Sequence, residues 1–169
     1  NDIEIGGNLS FGNANNLVPG TGTVEFNGTS AQTIDSKANF YKLTISNSNV
    51  SLLRSANVSH ILRIRPGATL DINGKNLTAS TLANNGNLQL SGSETLSITT
   101  KDTDSGTITY DGTATGLKYG NTYHNLTINT SGTMTLNNDL DVNGSLTIID
   151  GTLNAASNDI NVAGNWTNN

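Results

Sequence analysis

A short alternating unit, apolar–polar–apolar, recurs from one end of this chain to the other and sets the terms for any fold. It stands at Ile3-Glu4-Ile5, Val24-Glu25-Phe26, Leu43-Thr44-Ile45, Val50-Ser51-Leu52, Leu62-Arg63-Ile64 and Leu70-Asp71-Ile72. It continues at Leu88-Gln89-Leu90, Leu96-Ser97-Ile98, Leu126-Thr127-Ile128, Met134-Thr135-Leu136, Leu140-Asp141-Val142, Leu146-Thr147-Ile148 and Ile160-Asn161-Val162. A period of two buries one face of an extended strand and wets the other. No stretch keeps apolar residues at i, i+3, i+4 and i+7 over the length of a helix. The chain is therefore expected to be all-β. Ordered apolar residues and a net charge of only −5 over 169 residues separate it from a disordered segment, although its hydrophobic content is 34%.

Spacing then selects the architecture. Where they are densest the triplets return every six to eight residues, with corners rich in Asn, Gly and Ser. Strands of sandwiches and barrels run about 5–6 residues, so these are too short for an ordinary antiparallel sheet. In a parallel β-helix, or β-solenoid, each short strand pairs with the coil before it and the coil after it. Three strands with their corners predict a coil of roughly 21 residues. Internal repetition agrees. The run GTVEFNGTSAQTIDSKANFYKLTIS from Gly22 returns as GTITYDGTATGLKYGNTYHNLTIN from Gly106, and Val58, Leu62, Ile64 and Gly67 return 84 residues later as Val142, Leu146, Ile148 and Gly151. This predicts one solenoid segment, 1–169, of about eight coils in two 84-residue units. The units are 22–105 and 106–169, the second incomplete, with 1–21 the tail end of a preceding unit. Residues 83–105 are expected to lengthen the connection between units, with Lys101-Asp102-Thr103-Asp104 as a loop leaving the rod. The opening IGGNLSFGN resembles the closing VAGNWTNN, so the chain reads as an excerpt of a longer array or a subunit that stacks end to end.

Composition narrows the function. Eight Lys and Arg against 13 Asp and Glu leave no basic patch for a phosphate backbone, so no nucleic acid partner is expected. No apolar run approaches the ~20 residues of a membrane-spanning helix, so no membrane insertion is expected. Without cysteine there are no disulfides, thiolate metal sites or Cys nucleophiles.

The runs Gly164–Asn169 (GNWTNN), Pro19–Ile34 (PGTGTVEFNGTSAQTI), Phe40–Ser48 (FYKLTISNS) and Leu146–Asn165 (LTIIDGTLNAASNDINVAGN) resemble repeats of very large bacterial secreted or surface-attached proteins. They are similar to filamentous-haemagglutinin-like and other adhesin β-helices. The resemblance implies a right-handed parallel β-helix at the cell surface or outside the cell, acting as stalk, spacer or adhesive surface. Its partners would be further copies of the repeat, in the same chain or end to end, and surface glycans. Gln32 is not reproduced in the second copy, where Thr115-Gly116-Leu117-Lys118 stands.

Candidate sites are few. Asp139, Asp141, Asn143 and Asp150, with Gly144, imitate the oxygen spacing of a calcium loop. The competing reading points Leu140 and Val142 into the core and makes Asn143-Gly144 a corner. Asp102 with Asp104, and Asp139 with Asp141, are the carboxylate pairs a hydrolase would use, but no partner is evident that would separate their pKa values. His60 and His124 lack ligand spacing and read as surface residues, and Arg63 and Arg65 read as cover for a wet face. Tyr110, Tyr119, Tyr123 and Trp166 are candidates for a sugar-stacking platform. Against this, Tyr110 and Tyr123 stand where the first copy has Phe26 and Phe40, and Trp166 where it has Leu82, which predicts burial. Threonine pairs such as Thr107-Ile108-Thr109 do not recur at a 21-residue step, which argues against ice binding. Stacked corner asparagines are expected to bond to one another and to backbone along the axis. The sum is a non-catalytic structural or adhesive segment without cofactor, with a carbohydrate-binding module as the alternative.

Overall fold

The fold is described from a computed structural model for residues 2–11, 17–37 and 39–169. All strands are parallel and fall into three sheets. The six-stranded sheet holds β1 (Ile3–Ile5), β3 (Thr23–Phe26), β5 (Asn39–Ile45), β7 (Ala56–Ile64), β9 (Leu77–Asn84) and β11 (Leu96–Thr100), in that order. The nine-stranded sheet runs through β2 (Leu9–Ser10), β4 (Gln32–Asp35), β6 (Val50–Leu52), β8 (Thr69–Asp71), β10 (Asn87–Leu90), β12 (Thr107–Tyr110), β14 (Asn125–Thr135), β16 (Leu146–Asn154) and β18 (Trp166–Asn168). The third is β13 (Thr122–Tyr123), β15 (Leu140–Val142) and β17 (Ile160–Val162). Neighbours within a sheet are always one coil apart in sequence, and nine strands in one sheet make eight turns. The chain is a parallel β-solenoid. Among the described residues there is no helix, and none long and apolar enough to cross a membrane.

The alternating triplets do what their period requires. Val24, Leu43, Leu62 and Leu82 stack in register as one inward column, and Leu70, Leu88, Ile108, Leu126 and Leu146 as another. All nine are buried. The middle residues of the same triplets face out.

The coil is shorter than expected. Leu43 lies beside Leu62, 19 residues on; Leu70 beside Leu88, 18 on; Leu88 beside Ile108, 20 on. One of the three corners explains the shortening. β5 pairs with β7 across a register shift between Phe40 and Lys42, and β7 with β9 across one between Val58 and Ile61. A bulge inside a continuous strand turns that corner, with no separate loop.

The 84-residue repeat is consequently out of step with the coil, which it overshoots, after four turns, by about one strand and corner. Leu62 lies in the six-stranded sheet, but its counterpart Leu146 lies in the nine-stranded one. Val58 is on β7, and its counterpart Val142 is in the third sheet. The second unit is rotated by one face. The stack tolerates this because each face accepts the same apolar–polar–apolar triplet. Residues 83–105 are regular coil containing β10 and β11, not a lengthened connection. The irregular stretch lies between β12 and β13, where the ladder bond Asp111 N to Leu90 O gives way to Thr113 N to Ser91 O. Between these two bonds the chain lies tight against the coil before. A Cβ on Gly112 would come within 2.2 Å of the Ser91 carbonyl oxygen in the coil before.

Corner asparagines bond mainly to backbone one coil away. Asn8 Oδ1 accepts from Thr33 N at 2.9 Å, Asn76 Oδ1 from Thr95 N at 2.9 Å, and Asn125 Oδ1 from Ser145 N at 2.9 Å. A direct amide–amide contact joins Asn57 Nδ2 to Asn39 Oδ1 at 3.0 Å.

Candidate functional site

Three of the four aromatic candidates are inside the protein. Tyr110, Tyr119 and Tyr123 are fully buried, so they offer no ring face to a sugar. Their hydroxyls form a network at the rotation between units. Tyr110 Oη lies 3.1 Å from Tyr123 Oη and accepts from the Lys118 and Tyr119 amides at 2.7 and 2.9 Å. Tyr119 donates to Asp102 O at 2.6 Å, and Tyr123 to Gly120 O at 2.7 Å. Lys101 Nζ sits 5.4 Å from the Tyr119 ring centre. Trp166 differs from its counterpart Leu82. It lies on β18 and is 51% exposed, where Leu82 is buried on β9 beside Leu62.

Burial pushes all three phenols above their ordinary value, reinforced at Tyr119 by the Asp102 charge and at Tyr123 by Tyr110. A folded pKa above the unfolded one stabilises the protein fully below the unfolded value. That stabilisation is lost as pH climbs toward the folded value. The melting temperature is thus expected to hold up to about pH 9 and to fall steeply above about pH 10. Three phenolates should appear together with loss of the β circular dichroism. Ordinary titration of these groups in a protein that stays folded would contradict the network.

The calcium candidates do not converge. Asp139 Oδ1 accepts from Asp159 N at 2.9 Å, Asn143 Nδ2 donates to Thr103 O at 2.9 Å, and Asp150 Oδ1 accepts from Gly151 N at 2.8 Å. Asp141 points out from β15, and Asp150 lies on β16 in a different sheet. No group of three or more His, Asp or Glu suited to a metal occurs among the described residues. Strand alternation, with Leu140 and Val142 buried, disperses the four.

Asp102 and Asp104, named from the sequence as a carboxylate pair, hydrogen-bond to one another, which their spacing did not reveal. Burial works to raise Asp102, but hydrogen bonds from Asp104, the Asn84 amide and Ser105 hold it below its ordinary value. Asp104 is raised by its hydrogen bond to Asp102 and by that residue's charge. The pair splits as acid/base pairs do, yet Asp102 accepts from Asn84 N at 2.7 Å and from Ser105 Oγ at 3.0 Å. It acts as a corner staple, and the expected loop is tied down. His60 is exposed on β7 with its ring 5.0 Å from Tyr41, and His124 is half-buried just before β14.

The threonine rank dismissed at a 21-residue step exists at the true step. Thr109, Thr127, Thr147 and Thr167 stand in register on four successive coils. It is one column wide, because Asn125 stands beside Thr107 in the column next to it.

Spacing alone also missed a charged concavity of about 480 Å³ on the outer face of the six-stranded sheet. Its outward column reads Glu4, Glu25, Thr44, Arg63 from β1 to β7, in register. Asp2, Lys42 and Arg65 complete its charged lining, with His60 beside them. Three of the eight Lys and Arg residues therefore gather here. No family model, curated protein or solved structure matches the chain. Arg65 Nε lies 3.5 Å from Glu25, which also accepts from Ser46 Oγ at 2.5 Å. Lys42 Nζ is 5.8 Å from the Tyr41 ring centre. The signal that would have found the site is the coil step: at 19 residues Thr44 and Arg63 are neighbours, and at 21 they are not.

Proposed function

We propose that the chain is a structural and adhesive segment of an extracellular repeat protein or fibre and performs no catalysis. One observation carries this reading. Many polar side chains, Asn8, Asp102, Asn76 and Asn125 among them, make hydrogen bonds along the axis to partners 18 to 25 residues away, and so buttress the stack. Backbone ladders and a mostly apolar interior stiffen the rod, while an exterior of hydroxyls and amides makes many weak polar contacts. Each coil relies on its neighbours for stability. The resemblance of Pro19–Ile34 and Leu146–Asn165 to adhesin repeats supports a place at the cell surface, with further repeat copies and surface glycans as partners. The charged concavity favours a second reading, a carbohydrate-binding module on the same scaffold.

Beads coated with the protein should stay under flow on polysaccharide- and glycoprotein-coated surfaces, where albumin-coated beads wash away. The same protein should release no product from a polysaccharide panel. Beads that detach like albumin overturn the adhesive reading, and release of sugar overturns the non-catalytic one.

A further inference from the structure

We propose that the concavity on β1, β3, β5 and β7 binds a carboxylated saccharide. Its carboxylate sits between Lys42 and Arg63, and its hydroxyls lie on the acidic end. The proposal names the ligand class of the adhesive surface and rests on that reading.

Comparison within the chain shows that the fold does not require these charges. Glu25, Lys42, His60, Arg63 and Arg65 correspond in the second unit to Thr109, Asn125, Gly144, Thr147 and Ile149. Every ionisable group is replaced by a neutral one. The second unit builds the same outward column as an unbroken threonine rank, so the sheet is satisfied without charge. Their presence in the first unit calls for a reason outside the fold.

The charges are also sorted along the axis. Asp2, Glu4 and Glu25 lie at β1 and β3, then Lys42 at β5, then His60, Arg63 and Arg65 at β7, in steps of ~4.8 Å. The acids already have partners. Asp2 Oδ1 accepts from Thr23 N at 2.8 Å, Glu4 from Asn27 Nδ2 at 3.0 Å, and Glu25 faces Arg65. Among the described residues Lys42 and Arg63 make no ion pair. The cationic end is therefore open to an anion, and Arg63 offers the planar fork that suits a carboxylate.

The whole lining specifies more than charge. A simple polyanion would meet three carboxylates at the other end. A neutral sugar would leave the guanidinium unused. A ligand with both a carboxylate and hydroxyls satisfies both ends, since ionised carboxylates and the Thr23 and Thr44 hydroxyls accept from sugar hydroxyls. An extended peptide would seek an open strand edge, which only β1 has here; the cationic end lies on the faces of β5 and β7, each paired on both sides.

The test is calorimetry on the whole chain with oligogalacturonate, an oligomer of a carboxylated sugar, against neutral oligogalactose of equal length. The uronate is expected to bind, more weakly as salt rises, and the neutral oligomer to give no heat. Arg63→Ala should weaken binding roughly tenfold or more, with Arg63→Lys between the two. Glu25→Gln should strengthen binding by releasing Arg65. Thr147→Ala, in the matching column of the second unit, should leave it unchanged. Unaltered circular dichroism melts establish that each variant is folded. Equal heats from both oligomers, indifference to Arg63→Ala, or equal competition by a Glu-Lys peptide would overturn the site. If beads hold under flow but the uronate does not bind, the site fails and the adhesive reading stands. If the beads wash off, the adhesive reading itself fails.

Discussion

Gln32→Leu is expected to lower the unfolding free energy by about 3–5 kcal/mol, because a volume-matched side chain leaves several buried polar groups without partners. Gln32 is 1% exposed. Its Nε2 donates to Ile5 O at 2.8 Å and Gly7 O at 2.5 Å, and its Oε1 accepts from Gly28 N and Asn47 Nδ2, both at 2.9 Å. One amide thus joins three consecutive coils, since Ile5, Gln32 and Asn47 belong to successive turns. Urea unfolding should show the loss as a lower midpoint at unchanged slope. Gln32→Glu supplies a second readout. A buried carboxylate accepts but cannot donate, so that variant should be least stable at neutral pH and recover as the acid protonates. A wild-type midpoint for Gln32→Leu would mean water replaces the amide without loss.

Tyr110→Phe is expected to cost about 2–4 kcal/mol, since it removes a single oxygen and leaves two backbone N–H groups unpartnered. Those are the Lys118 and Tyr119 amides; Tyr123 keeps its bond to Gly120 O. The ring itself is retained, so cavity formation contributes nothing. The mirror substitution, Phe26→Tyr, places a hydroxyl where the first unit has no such loop, and should destabilise as well. Hydrogen exchange at Lys118 and Tyr119 in Tyr110→Phe should accelerate before the rest of the stack opens. Uniform exchange at wild-type rates would show that the hydroxyl is not what holds the irregular stretch.

Much of this was legible beforehand. Leu43-Thr44-Ile45 and its relatives gave strand, face and stacking, because period-two burial depends only on neighbours in sequence. The coil step was misjudged because β5 and β7 turn a corner by a bulge, and a bulge has no Gly or Pro signature here. The concavity was hidden for the same reason. Glu25, Lys42 and Arg63 become neighbours only when the step is right within a residue. Tyr110 aligns with Phe26, but the groups its hydroxyl binds come from a loop whose counterpart in the first unit is the strand β4. Gln32 carried a readable clue. It alternates inward with Ile34, and an amide on an inward position must find partners.

The mismatch between the 84-residue repeat and the 18- to 20-residue turn determines what an observer standing beside the rod would meet. One flank presents charged side chains, and the segment of sequence matching that charged band, now a plain band of threonines, looks toward another compass bearing. A molecule laid flat on a substrate by one side keeps its related copy pointing elsewhere. Duplication in such a chain therefore multiplies directions of display, and each bearing is free to acquire its own chemistry.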